Sequence, residues 1–132
     1  MTGEQDLLWE DLTLAILSVN RYPLEKTYAA VETLRREGLF CPRNLMQWTS
    51  EEIGIRLRRG GYDRSKFMIN LFANRLASLG LFIKSTGVEE CERILRKGEA
   101  TELRQFLQPV KGIGPFVLTN FSLLRKASSE PD

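Results

Sequence analysis

The amino-acid sequence predicts an all-α fold in a single compact multi-helix domain, and three observations predict it. Apolar residues recur at three- and four-residue spacing along most of the chain, no stretch alternates long enough for a strand, and glycine and proline punctuate the segments so that connections stay at about two to eight residues. The 132 residues are the length of one domain. A chain of this size buries roughly 65 to 70% of its unfolded surface, so it folds without help from disulfides or metals. Residues 1–127 are read as the helical domain and residues 128–132 as a flexible tail.

Each element has its own signal. Leu7 to Val19 is nearly continuous in apolar residues and fits a largely buried helix. Pro23 opens a second helix running to Gly38, with Leu24, Tyr28, Val31 and Leu34 on one face. A short third element spans Pro42 to Trp48. Thr49 and Glu52 then have capping-box spacing for a fourth helix that stops at Gly60-Gly61. Asp63 is positioned to cap a fifth, whose Phe67, Met68, Leu71, Phe72, Leu76 and Leu79 form a wide apolar face and which Gly80 is expected to end. Leu81 to Lys84 is the one piece that fits a short extended segment. Val88 to Lys97 and Ala100 to Gln108 are two further helices separated by Gly98, and Phe116 to Arg125 is the last. Phe67, Phe72, Phe106, Phe116 and Phe121 are expected in the core.

Composition removes many chemistries. The chain has no histidine, so Ser-His-Asp and Cys-His nucleophile pairs, an imidazole base and mixed Cys/His zinc sites are excluded. Cys41 and Cys91 stand far apart without a CxxC, which excludes a zinc ribbon or an iron–sulfur cluster within one chain. The formal charge of +2 argues for no particular partner. Glu4, Asp6, Glu10 and Asp11 give the N-terminus the wrong sign for a signal or transit sequence, and the best apolar run, Leu12 to Val19, is too short for a bilayer. The expectation is a cytoplasmic (nucleoid) or nuclear protein with no membrane partner and two free thiols.

The segment with chemistry in it is Val110-Lys111-Gly112-Ile113-Gly114-Pro115, between two amphipathic helices. Two glycines around one aliphatic residue allow a turn tight enough to expose consecutive N–H groups at the start of a helix. There the free donors and the positive end of the helix dipole converge on an anion such as a phosphate. Pro115 suits the first helical turn because it has no N–H to leave unpaired. The spacing is equally compatible with a helix C-cap and a tight connection and nothing more.

Phe106-Leu107-Gln108-Pro109-Val110-Lys111-Gly112-Ile113-Gly114-Pro115-Phe116-Val117-Leu118 resembles the helix-hairpin-helix of the base-excision DNA glycosylases, the superfamily that includes endonuclease III and the oxoguanine glycosylases. Two more segments resemble it in the same order: Leu14 to Asn20, like the family's early helix, and Trp48 to Phe67, like its capped helix, glycine, aromatic and Lys-containing helix start. The resemblance implies that the N–H groups of Gly112, Gly114 and Phe116 face one phosphate of double-stranded DNA, with Val117 in the same DNA-binding segment. It also implies that the carbonyls of Gln108, Val110 and Ile113 hold a monovalent cation, Na+ or K+. Asn20 falls where relatives place a polar side chain in the gap left by a flipped base; a helix C-cap explains it equally well. No organic cofactor is implied.

Departures from the family pattern narrow the expected activity. Where bifunctional members carry a lysine nucleophile, this chain has Phe116, which cannot form a Schiff base. The aspartate that active members use falls, by the family's spacing, beyond residue 132, and the iron–sulfur cluster cysteines of endonuclease III have no counterpart. The expectation is therefore a DNA-binding relative without independent glycosylase or lyase chemistry. Two alternatives stay open: a repair glycosylase whose aspartate comes from a second protein chain or a further C-terminal part, acting without a lysine nucleophile, and a protein-interaction module. Lys111, Arg125 and Lys126 are the cations best placed to assist the hairpin. Arg64 and Lys66 belong to a basic run with Arg56, Arg58 and Arg59, which is either a phosphate-contacting patch or a solvated helix end. Tyr22 and Tyr62 are loop tyrosines able to stack on a base or to pack over a helix end.

Overall fold

The structure, a computed structural model, describes residues 7–19 and 22–129. Among these residues there are nine helices and no strand: α1 (Leu8–Leu17), α2 (Leu24–Ala29), α3 (Val31–Arg36), α4 (Pro42–Gln47), α5 (Ser50–Arg59), α6 (Lys66–Thr86), α7 (Val88–Lys97), α8 (Ala100–Phe106) and α9 (Pro115–Ser129). They pack as one compact all-helical domain.

The uninterrupted apolar run of the first helix has a simple consequence: α1 is central. Every residue from Leu8 to Ser18 is buried, and the helix packs chiefly against α9, with α2, α6 and α7 also in contact. The acidic pair of this helix is buried with it. Glu10 accepts from the Arg35 guanidinium of α3 at 2.9 and 3.0 Å, and Asp11 accepts from Arg125 of α9 at 3.1 Å. Each carboxylate thus ties the central helix to a neighbour, and Glu10 raises the pKa of Arg35 through their hydrogen bond.

The long helix α6 is the second axis, and it departs from the sequence expectation at both ends. Ser65, not Asp63, caps it by accepting from the Met68 N–H. The Asp63 N–H is held by the Tyr22 hydroxyl at 3.2 Å and the Arg64 N–H by the Tyr62 carbonyl at 3.1 Å, so the helix starts only afterwards. Gly80 does not end it. A Cβ at Gly80 would lie 2.0 Å from the Leu45 carbonyl oxygen, so the glycine sits inside α6 to admit the backbone of α4. The helix therefore includes Leu81 to Lys84, the segment expected to be extended, and ends at Gly87 with φ +102°.

The second expected helix is two, bent at Ala30, whose carbonyl is engaged by the Thr33 hydroxyl. Elsewhere the expectations match: Thr49 caps α5 through the Glu52 N–H, Gly98 ends α7 in the left-handed region, and Pro115 is the first residue of α9. Phe72 and Phe121 are in the core and Phe106 is half-buried, but Phe67 and Phe116 are 72% and 77% exposed. Both are in the first turns of their helices, where the core is reached by Ile69 and Val117 and the two phenylalanines lie on the outward side. Helix α9 continues through Ser129.

Candidate nucleic-acid interface

The turn from α8 to α9 is built from Leu107 to Gly114. Val110 is buried and donates its N–H to the Leu107 carbonyl at 3.0 Å, and Ile113 packs half-buried against the core. The Lys111 N–H donates to the Ser78 hydroxyl of α6 at 3.1 Å, which fastens the turn to the long helix. Gly112 takes φ +82°, a conformation that L side chains rarely adopt. A Cβ there would also lie 2.4 Å from Cδ of Arg75, so the arginine stem crosses directly over the glycine.

Beyond Lys111 the turn stops pairing its donors. Among the described residues, the N–H groups of Gly112, Gly114, Phe116 and Val117 donate to no acceptor, and the carbonyls of Gln108 and Ile113 accept from no donor. Gly114 has nothing within 4 Å of the place where a Cβ would stand. With Phe116 turned outward, the start of α9 is open to solvent. The four leading N–H groups of a helix have no partner within it, and here the described residues supply none from outside.

A second group of polar contacts gathers at the C-terminal end of α1. Its carbonyls are satisfied by side chains from three places: Asn120 of α9 donates to Ala15 and Ser18, the Tyr62 hydroxyl to Leu17 at 2.6 Å, and Arg64 to Val19 at 2.9 Å. Tyr62 is buried, and desolvation pushes its pKa up to about 12 against a smaller opposing pull from Arg64. Tyr22 and Tyr62 pack on each other with ring centroids 4.8 Å apart, so both loop tyrosines are buried over the helix end and neither is free to stack on a base.

These two regions meet at Phe72. The Arg64 guanidinium lies 5.0 Å and that of Arg75 4.9 Å from its ring centroid, and Arg75 in turn covers Gly112. The three segments singled out in the sequence, the end of the first helix, the Tyr62–Lys66 loop and the glycine turn, are thereby linked through one chain of contacts. Arg75 and Asn120 are the residues that sequence reasoning missed. Neither has a local signal, because each matters through a partner far away in the chain.

The remaining candidates are distributed as follows. Lys66 is exposed at the start of α6 and Lys111 is exposed on the turn. Arg125 is engaged by buried Asp11, and Lys126 is exposed on α9. In the basic run, Arg56 and Arg59 are paired with Glu37 and Glu52, so that part is a helix end held by carboxylates. Asn20 lies outside the described residues. Among the described residues no helix is long and apolar enough to cross a membrane, and no group of three His, Cys, Asp or Glu side chains is placed to hold a metal ion. Cys91 is buried, which pushes its thiol up to about 11, and Cys41 is exposed. No family model, curated protein or solved structure matches this chain.

Proposed function

We propose that this chain is a DNA-binding protein of the helix-hairpin-helix kind, which holds the phosphate backbone of duplex DNA on the turn between α8 and α9 and has no glycosylase or lyase chemistry of its own. The observation that supports this reading most directly is the run of unpartnered N–H groups on Gly112, Gly114, Phe116 and Val117 at the start of the fifteen-residue α9, beside a glycine with open space around it. Donors in that arrangement, with the helix dipole behind them, stabilise a phosphate without a charged side chain.

The side chains add to this. Lys111 extends from the turn itself, and Lys66 and the Arg64–Arg75 pair supply positive charge along the same contact chain. Such contacts position a duplex without reading its sequence. The carbonyls of Gln108, Val110 and Ile113 suit a hard monovalent cation, since oxygen donors are what Na+ or K+ takes; bound there, it would add positive charge beside the phosphate. Phe116 occupies the lysine position of the lyases and offers no nucleophile.

Salt dependence and one glycine test the reading. Affinity for a short duplex should fall linearly with salt on a logarithmic plot, with a slope near −0.9 for each phosphate neutralised. Gly114→Val should weaken it by about 2 kcal/mol, roughly thirtyfold, the scale of hydrogen bonds to a charged group. Circular dichroism and Tm should stay unchanged. Salt-insensitive binding, or a Gly114→Val variant that binds like the parent, would refute the proposal.

A further inference from the structure

Beside the same turn a cleft of about 440 Å³ opens between the α4–α5 joint and the middle of α6, with Trp48, Asn74, Ser78, Leu81 and Lys111 in its walls. That volume is within the range of small-ligand sites. Leu45, whose backbone lies against α6 at Gly80, also lines the cleft. Ser78 accepts the Lys111 N–H, so the cleft and the glycine turn share a boundary and Lys111 belongs to both.

The walls select a ligand by chemistry. No aspartate or glutamate lines the cleft, and Lys111 is its one charged residue, which favours an anion. Leu81 is 67% exposed in the interior of a long helix, leaving an uncovered apolar patch. Trp48 is fixed in place: the Arg56 guanidinium lies 4.0 Å over its ring and is anchored by Glu52 at 2.7 Å and the Glu37 carbonyl at 3.0 Å. An aromatic already held in one position loses little conformational entropy when a ligand arrives. Asn74 is exposed and offers both a donor and an acceptor.

We infer that this cleft takes one unpaired nucleotide of a DNA strand, its base against the Trp48 and Leu81 walls, its polar edge on Asn74 and its phosphate on Lys111. A nucleotide combines a planar apolar face, a hydrogen-bonding edge and an anionic phosphate, the combination that these walls complement. The inference rests on the proposal that the turn holds a DNA phosphate, since Lys111 immediately precedes Gly112. It adds a preference for DNA with an unpaired tail over blunt duplex.

The test compares a blunt duplex with the same duplex carrying a short single-stranded tail at either end, at one salt concentration, using the whole chain. The parent should bind one tailed form roughly tenfold tighter, the scale of stacking one base. Leu81→Gln and Asn74→Ala, both at exposed positions, should remove that gain and leave blunt-duplex affinity as it was. No gain in the parent, or a gain that survives both variants as a mere effect of added phosphates, overturns the cleft while the duplex reading stands. Blunt-duplex binding untouched by Gly114→Val, with a tail gain still lost in Leu81→Gln, overturns the turn as the phosphate holder and keeps the cleft. Binding to neither DNA overturns both.

Discussion

In the turn from α5 to α6 the N–H groups of Gly60, Gly61 and Tyr62 donate to the carbonyls of Arg56, Arg58 and Leu57, whereas in the turn from α8 to α9 those of Gly112, Gly114 and Phe116 donate to nothing among the described residues. Both turns carry two closely spaced glycines, and both place one in the left-handed region, Gly61 at φ +88° and Gly112 at +82°. Their surroundings differ. A Cβ at Gly60 would lie 2.8 Å from Leu34 Cδ2 and 3.2 Å from the Arg56 carbonyl oxygen, while at Gly114 it would meet nothing. Packing and backbone conformation require glycine at Gly60, Gly61 and Gly112, whereas nothing around Gly114 does. Buried backbone groups are nearly always paired, so an unpaired set at a surface marks a place where water or a ligand completes the bonding.

That contrast can be broken by substitution. The largest effect is expected at the closed turn: Gly60→Val should destabilise the fold by about 3 kcal/mol, on the order of 10 °C in Tm, because the new methyls have backbone in their way. DNA affinity of the surviving folded fraction should not change. A thermal melt that leaves Gly60→Val within a degree of the parent would remove the packing argument.

Alkaline titration probes the same closed turn through Tyr62, whose pKa is raised to about 12 by burial. An unfolded tyrosine ionises near 10, so between pH 10 and 12 the unfolded chain has released a proton that the native chain retains. Stability is fully present below pH 10 and declines as pH rises through 12, by about 3 kcal/mol for this group. Tyr62→Phe should flatten that decline in denaturant titrations, at the cost of the bond to the Leu17 carbonyl. An unchanged slope would mean that the hydroxyl is not desolvated.

At the open turn the expectations are smaller for the fold and specific to binding. Gly114→Val should lose duplex affinity as described above without moving Tm. Gly112→Ala should cost about 1 kcal/mol of stability from the left-handed backbone, with the Arg75 stem able to swing aside. Equal Tm losses at Gly112 and Gly114 would contradict the difference in their surroundings.

How far the sequence reveals all this depends on the range of the cause. The helices themselves are legible because their signals are local: apolar spacing, the Thr49–Glu52 cap, Gly98, Pro115. The glycine turn is legible as a motif for the same reason. What is not legible depends on distant partners. Gly80 carries the same local signature as a helix stop, and only the Leu45 backbone of α4 distinguishes it as a contact glycine. Ser65 outcompetes Asp63 as a cap because Tyr22, far earlier in the chain, holds the Asp63 N–H. Arg125 reads as a surface cation until buried Asp11 comes within reach. Phe116 has core spacing, but in the first turn of α9 it is its neighbour Val117 that faces the core.

The pairing of α1 with α9, sealed by Asn120 and by the Asp11–Arg125 contact, bears on how the molecule is made. Of the described helices, the one whose residues are all buried is made well before its main partner, α9. Closing a loop of this length costs entropy before any contact repays it. Until residue 120 has emerged, the part of α1 that α9 covers stands exposed, and the carbonyls at its end lack one of the side chains that later satisfy them. The start of α9, where the open donors lie, is therefore positioned only when the two distant ends of this pairing meet.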